Sequence, residues 1–306
     1  MVRRMWWVLL LAWGADACAQ PPCASPVFEA QGHRGGRARR PENSLAAMEY
    51  ALSRGVTTLE MDVAVTRDEV LVLAHEPWLP KDRCLDPDGN PAADVPINTL
   101  TLAQLSRYDC GSLKHKDFPD QVTVPGPLAT LREVFAVGER LSGARIHYNI
   151  EPKMDPADDD KTPSAERFMD LLLADIEGAG VHDRVIIQSF DARPLRELVL
   201  RGSTLKRAFL WPTAQPSVMS TVFSADPLTM ADALGAEILS SYDPVTTRPL
   251  VDAAHARGVA VVPWTVNKRD RMAKLVDMGV DGLISDDPDL LMEVVREKKP
   301  TRGVCW

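Results

Sequence analysis

Eight short runs rich in β-branched and aliphatic residues punctuate the chain. Each is followed by a stretch in which apolar residues return at i, i+3 and i+4. The runs predict strands over Val27–Gly32, Thr57–Ala64, Arg145–Ile150, Arg184–Ser189, Leu205–Trp211, Ala236–Ser241, Val259–Thr265 and Gly282–Ser285, with Val70–His75 as the return arm of a hairpin after the second run. The helical spacing predicts helices over Ser44–Arg54, Leu128–Leu141, Ser164–Ala179, Ala192–Arg201, Ala225–Leu234, Thr247–Arg257, Lys268–Met278 and Pro288–Lys298. Gly55, Gly180, Gly258 and Gly279 stand just past four of these ends, where a left-handed cap favours glycine. Asn43 or Ser44 suits the N-cap of the first helix.

Strand and helix in alternation imply a parallel sheet. Eight such units close most economically into a TIM-type (β/α)8 barrel of the α/β class, the rival being an open doubly wound sheet. One region breaks the rhythm. Residues from about Pro77 to Pro127 are rich in Pro, Asp and Gly, with a short helical pattern at Leu102–Tyr108, and read as a segment inserted after the second strand.

In such a barrel the chemistry stands at the C-terminal ends of the strands. His33 and Arg34 end the first strand, Glu60 and Asp62 the second, and Glu151 the third with Lys153 just beyond; His75-Glu76 closes the hairpin arm. Gln188 and Ser189 end the fourth, and Trp264 the seventh with Asn267 close behind. Alternate residues of a strand share a face, so Glu60 points with Asp62 and Asn149 with Glu151, while Leu59, Met61 and Val63 suit the helix-facing side. Three inward acids on adjacent strands repel in a dry interior, and a hard divalent cation held by oxygens, Ca²⁺ or Mg²⁺, resolves that. The simpler reading is that these acids pair with Arg34 and Lys153. A lone strand-end histidine is commonly a hydrogen-bonded core residue, but His33 and His75 flank the three acids, and paired imidazoles suit general base and general acid work. His115, His147, His182 and His255 read as structural or surface residues, His147 lying deeper on the same face as Glu151. Cation, arginine, lysine and two histidines together suit attack on a phosphodiester. One histidine takes a proton from the nucleophile and the other protonates the leaving alkoxide. Trp264 either stacks on the substrate's carbon skeleton or packs in the core.

The bulk properties narrow this further. The 306 residues are 45% apolar and 25% charged, ordinary for a globular protein, and the net charge of -8 argues against a nucleic-acid partner. The arginines at Arg37, Arg39 and Arg40 are expected mostly to meet solvent. Glu42 is expected to stand behind the metal ligands. At the start of the chain, Arg3 and Arg4, the apolar Met5–Trp13 and the Ala17-Cys18-Ala19 triplet read as a signal peptide over residues 1–19, too short for a stable membrane span. Residues 20–306 then form a single barrel domain that is exported, periplasmic or secreted. An oxidising compartment permits disulfides, and Cys84–Cys110 and Cys23–Cys305 are the favoured pairs of the three possible pairings. Oligomeric state is not legible.

The motifs H-R-G (His33–Gly35), P-E-N-S (Pro41–Ser44), L-E-M-D-V (Leu59–Val63) with T-R-D (Thr66–Asp68), A-H-E (Ala74–Glu76), N-I-E-P-K (Asn149–Lys153), Q-S-F (Gln188–Phe190) and W-T-V-N (Trp264–Asn267) follow one another in order. In this the chain resembles the glycerophosphodiester phosphodiesterases from about Val27 to Leu291. The resemblance implies a TIM-type barrel with an insertion after the second strand, and hydrolysis of small-molecule glycerophosphodiesters to an alcohol and glycerol 3-phosphate. It implies Glu60, Asp62 and Glu151 as ligands of one Ca²⁺ or Mg²⁺, His33 and His75 as the acid/base pair, and Arg34 and Lys153 as phosphate contacts. Three positions depart from the family pattern: Glu76 where it usually has Asp, Ser44 where it has Thr, and Glu69 in a hairpin turn where it often has Gly. Alternatives on the same barrel are a phospholipase D-like or sphingomyelinase D-like enzyme and a non-catalytic ligand-binding barrel; the polar insertion favours a soluble substrate.

Overall fold

The computed structural model describes residues 26–154, 156–212 and 226–306. Eight parallel strands follow one another around a barrel: β1 (Glu29–Gly32), β2 (Thr58–Val65), β6 (His147–Pro152), β7 (Val185–Ser189), β8 (Lys206–Trp211), β9 (Ile238–Ser241), β10 (Ala260–Val261) and β11 (Gly282–Ser285). Between β10 and β11 the ladder thins to single bonds: the amides of Asp281, Ile284 and Val266 donate to the carbonyls of Val261, Pro263 and Ile284 at 2.8, 3.0 and 2.9 Å. The seventh strand is therefore shorter than the predicted Val259–Thr265. Pro263 has no N–H to give to β11, although Val262 and Trp264 still donate to β9 at 3.0 Å. The hairpin arm is present as β3 (Leu71–Leu73), antiparallel to β2.

The helices are α1 (Leu45–Arg54), α3 (Leu131–Ser142), α4 (Ala165–Ala179), α5 (Ala192–Leu200), α6 (Pro227–Ala233), α7 (Arg248–Ala256), α8 (Arg269–Asp277) and α9 (Pro288–Lys298), with the short α2 (Leu102–Leu105) in the insertion. Ser44 is the N-cap of α1, its hydroxyl accepting from the Ala47 amide at 3.2 Å. That leaves Asn43 for other work. Leu59, Met61 and Val63 of β2 and Tyr148 and Ile150 of β6 face outward into the shell between barrel and helices, as the alternation predicts.

The region between β3 and α3 carries its own small core. β4 (Trp78–Leu79) pairs with β5 (Val95–Pro96), and Leu79, Cys84, Ala92, Ile97 and Leu105 pack together against Ala64 and Val72 of the hairpin. A Cys84–Cys110 disulfide staples it. Cys23 of the second expected pair, the proposed signal peptide, and the first residue of the predicted helix Ala225–Leu234 lie outside the described residues. At the N-terminal end of the barrel, Val27 pairs with Val304, and the Trp306 indole donates to buried Glu29 at 2.8 Å. His147 sits in this lower layer, 3.2 Å from Glu29 and stacked on Trp306, well away from the strand tops. Among the described residues no helix is long and apolar enough to cross a membrane.

Candidate active site

The β2–β6 register sets Glu60 beside Asn149 and Asp62 beside Glu151. With all of these side chains inward, Glu60, Asp62 and Glu151 each place a carboxylate oxygen within 4.8 Å of the others, and all three are buried. Burial and the neighbouring charge of Asp62 hold Glu60 well above the usual carboxylate range. Burial likewise raises Glu151, with Lys153 pulling the other way. On Asp62 burial is outweighed by His75, Lys153, Arg34 and Asn43, so it stays ionised. Burial thus pushes Glu60 and Glu151 toward the protonated form, a penalty that a divalent cation between the three carboxylates would offset. With all six ionised, Glu42, Glu60, Asp62, Glu76, Glu151 and Asp286 would face, among the described residues, four permanent cations, Arg34, Arg37, Arg83 and Lys153, and two negative charges would be left for a bound cation to offset. An all-carboxylate donor set of this kind fits Ca²⁺ or Mg²⁺.

Each of these carboxylates is oriented by a neighbour. Asn43 donates to Asp62 Oδ2 at 3.0 Å and accepts from the Asp62 amide at 3.2 Å. Gln188 donates to Glu60 Oε1 at 2.7 Å, and its own oxygen takes a hydrogen bond from Asn149 at 2.8 Å. Lys153 Nζ donates to Glu151 Oε1 at 2.8 Å and lies 3.6 Å from Asp62.

His33 and Arg34 leave β1 in a tight turn. Arg34 sits at φ +50° and Gly35 at φ +84°; a Cβ on Gly35 would stand 2.7 Å from the Ala47 Cβ. The turn sends the Arg34 amide to Glu60 Oε2 at 2.7 Å and its guanidinium to Glu42 at 2.9 Å. The His33 Nδ1 meets Asp286 Oδ1 at 2.5 Å, and its Nε2 lies 4.0 Å from Glu60. Burial lowers the His33 pKa, while Asp286 works to raise it. His75 follows the hairpin arm, tied in where the Ala74 amide donates to the Asp62 carbonyl at 3.1 Å. Its Nδ1 is 3.0 Å from Glu76 Oε1. On Glu76 burial is outweighed by His75 and Arg83, which take its pKa down to about 2.

A cavity of about 150 Å³ opens at the strand tops, lined by His33, Arg34, Glu60, Asp62, His75 and Glu151 on one side and Gln188, Phe190 and Trp264 on the other. Of the residues expected to act as acid or base, touch phosphate or substrate, or hold the cation, all but Lys153 border this cavity, and Lys153 reaches it through Glu151 and Asp62; Glu76, Ser189 and Asn267 do not line it. Trp264 fixes its indole by donating to the Ser240 carbonyl at 2.9 Å and meets Phe190 edge-on at 5.2 Å.

Four partners escaped the sequence reading. Asp286, 1% exposed, takes His33 and Arg37; Asn43 clamps Asp62; Arg37 lines the cavity; Arg83 reaches in from the insertion. Arg37 corrects the expectation of solvent-facing arginines: its Nε donates to Asp286 Oδ1 at 2.6 Å. Arg39 likewise pairs with Asp287 at 2.6 Å. The available signal was the Asp286-Asp287-Pro288 run at the end of the last strand, where acids meet the arginines of the first turn. Glu42 is linked to Asp62 through Arg34, whose Nη1 meets Glu42 at 2.9 Å and whose Nε lies 3.4 Å from Asp62.

The sequence matches the glycerophosphoryl diester phosphodiesterase family over residues 33–290. It is 29% identical over 265 residues to a glycerophosphodiester phosphodiesterase of Caldanaerobacter subterraneus subsp. tengcongensis, covering 87% of this chain and 96% of that one. A glycerophosphodiester phosphodiesterase of Bacillus altitudinis is 28% identical over 273 residues, covering 87% and 98%. A solved structure from Silicibacter pomeroyi DSS-3 overlays with a TM-score of 0.82 at 26% identity, over 89% of this chain and 94% of that one. An Oleispira antarctica phosphodiesterase, solved in complex with the product sn-glycerol-3-phosphate, shares the fold with a TM-score of 0.70 at 21% identity, over 88% and 97%.

Proposed function

The chain belongs to the glycerophosphoryl diester phosphodiesterase family, and from that premise we propose that it hydrolyses glycerophosphodiesters to an alcohol and glycerol 3-phosphate, with His33 and His75 as the acid/base pair. The observation that carries this reading is the sharing of one cavity by both histidines, three buried carboxylates and Arg34.

Each histidine has its Nδ1 engaged by a carboxylate, Asp286 for His33 and Glu76 for His75, so each keeps Nε2 for proton transfer. One Nε2 removes the proton of the nucleophile; the other delivers a proton to the oxygen of the departing alcohol. The Arg34 guanidinium borders the cavity, its Nε 3.4 Å from Asp62 Oδ2 without a hydrogen bond among the described residues, and it can turn a donor to a phosphoryl oxygen. Lys153 adds a second positive group beside it, and Trp264 with Phe190 forms an apolar wall for the carbon skeleton. Glu60, Asp62 and Glu151 would hold one Ca²⁺ or Mg²⁺, which when bound offsets negative charge on the phosphoryl group. Export belongs to the same proposal, supported by the Cys84–Cys110 disulfide, which suits an oxidising compartment.

The test is release of glycerol 3-phosphate from glycerophosphocholine, with and without EDTA, by wild type and His33→Ala. Loss of activity in both the variant and the chelated enzyme is expected. Full activity in either contradicts the mechanism, and binding without turnover by wild type favours a non-catalytic barrel.

A further inference from the structure

The insertion contributes a side chain to the surroundings of the site. Arg83 sits one residue before the stapled Cys84, in a turn where the amides of Arg83 and Cys84 donate to the Pro80 carbonyl at 3.1 and 2.8 Å. Leu85 then exchanges backbone hydrogen bonds with Asp109, at 2.7 and 3.0 Å, next to the other half of the disulfide. The Arg83 backbone is thereby fixed on both sides. Its guanidinium forks: Nη2 lies 2.8 Å from Glu76 Oε2, and Nη1 hydrogen-bonds Glu42 Oε1. The remaining Glu76 oxygen, Oε1, faces His75 Nδ1 at 3.0 Å. A glutamate has one more rotatable bond than an aspartate at the same place, so its carboxylate needs a second anchor to present one oxygen to the imidazole. The side chain of His75 is 33% exposed against 12% for His33, so packing alone holds it less firmly.

We propose that Arg83 is a positioning residue for His75: the stapled insertion supplies a guanidinium that locks Glu76, and Glu76 in turn fixes the imidazole with its proton on Nδ1 and its Nε2 toward the cavity. This rests on the acid/base role of His75 proposed above only for its kinetic consequence; the geometric claim stands apart from it. Arginine suits the task because its planar fork addresses two carboxylates at once, whereas a lysine ammonium is a point charge.

The test reads the imidazole directly. Nitrogen-15 spectra of the full chain, with the His75 signals identified by their loss in His75→Gln, are compared among wild type, Arg83→Met, Arg83→Lys and Glu76→Gln. Wild type is expected to show the Nδ1–H form, and Arg83→Met a mixture of tautomers, with Arg83→Lys between them. An unchanged His75 spectrum in folded Arg83→Met overturns the proposal whether or not the protein releases glycerol 3-phosphate. With glycerophosphocholine, Arg83→Met is expected to lower kcat about 10- to 100-fold with KM changed by less than about threefold, an effect on orientation and not on binding. Adding Arg83→Met to Glu76→Gln should cost little more than Glu76→Gln alone. A raised KM at unchanged kcat would make Arg83 a substrate contact, and losses that multiply in the double variant would route it through Glu42; either result overturns the assignment. Thermal midpoints taken alongside separate these effects from loss of fold.

Discussion

Asp286→Asn keeps the size of a buried side chain and removes one charge. In wild type, Oδ1 accepts from His33 Nδ1 at 2.5 Å and Arg37 Nε at 2.6 Å, while Oδ2 accepts from Asn267 Nδ2 at 2.6 Å and Arg37 Nη2 at 3.3 Å. All four partners present donors, so an amide cannot satisfy both sides. If its NH₂ faces Asn267, two donors meet; if it faces His33, the imidazole must turn its Nδ1 lone pair inward and carry its proton on Nε2. The second outcome reverses the tautomer, the fault that costs a Ser-His-Asp triad about 10⁴ in kcat when its aspartate becomes asparagine. The first leaves His33 a weaker partner, and loss of a charge-assisted hydrogen bond is worth about 1.5–3 kcal/mol, or roughly 10- to 150-fold in rate.

We therefore expect kcat for glycerophosphocholine to fall about 10- to 10⁴-fold with KM within about threefold of wild type. The pH profile carries the sign. Burial lowers the His33 pKa and Asp286 raises it, so removing the Asp286 charge lowers it further. The limb of kcat/KM that belongs to His33 should move to lower pH. Movement of the acidic limb marks His33 as the group that must be deprotonated, hence the base; movement of the alkaline limb marks it as the acid. A variant with wild-type kcat and unmoved limbs would refute the role of Asp286 and weaken that of His33.

Three other outcomes are expected. Calcium or magnesium should raise the thermal midpoint of wild type, by about 2.7 kcal/mol of stability at a hundred times Kd, and the gain should vanish in Glu60→Gln/Glu151→Gln; a midpoint insensitive to both ions in differential scanning calorimetry contradicts the cation site. Gly35→Ala forces a Cβ to within 2.7 Å of Ala47 at φ +84°, so about 1–3 kcal/mol of stability and at least about tenfold in kcat should be lost; wild-type values in urea melts and turnover would show that the turn has slack. Trp306→Ala removes the indole that stacks on His147 at 3.9 Å and donates to Glu29. Trp306 is only half-buried, so stability should drop by roughly 1–3 kcal/mol, short of the about 3–5 kcal/mol of a core tryptophan, while kcat at 25 °C holds, because this cluster lies at the opposite end of the barrel; a large loss of kcat in the folded variant would show coupling between the two ends.

The fold and the core of the site were legible because both depend on short-range order. Period-two alternation in Thr58–Val65 assigns Glu60 and Asp62 to one face without reference to the rest of the chain. The helix spans follow from apolar spacing and caps, and observed ends fall within a few residues of expectation. What was not legible depends on partners distant in sequence. His33 and Asp286 are 253 residues apart, and nothing in either neighbourhood names the other. Asn43 looked like a cap; only the packing of α1 against β2 turns it to Asp62, with Ser44 taking the cap. Arg37 looked like a solvated charge because the acids after the last strand are visible in the sequence but their contact with the first turn appears only once the barrel brings β11 beside β1. The Glu69 departure has a local remedy of the same kind: it occupies a left-handed turn position at φ +61°, and its carboxylate pairs with Arg167 at 2.5 Å.

The hydrogen bonds around Glu60 bear on which charge state the site is built for. Its Oε1 accepts from Gln188 and its Oε2 from the Arg34 amide, both at 2.7 Å. These donors address an ionised carboxylate, and a proton on either oxygen would face one of them. Gln188 cannot readily turn its amide over, because its oxygen already accepts from Asn149, whose other hydrogen goes to Gln31 at 2.8 Å. Burial and the Asp62 charge nevertheless push Glu60 toward the protonated form. Hydrogen bonding and solvation thus ask for opposite states of one side chain. A fold that needed only a neutral residue here could have used glutamine. The conflict disappears when a cation shared with Asp62 and Glu151 supplies the missing positive charge, because the ionised Glu60 then keeps both donors and loses the penalty. The amide layer of Gln31, Asn149 and Gln188 beneath it is neutral, so it fixes the orientation of the carboxylate without adding to the charge that a bound cation would balance.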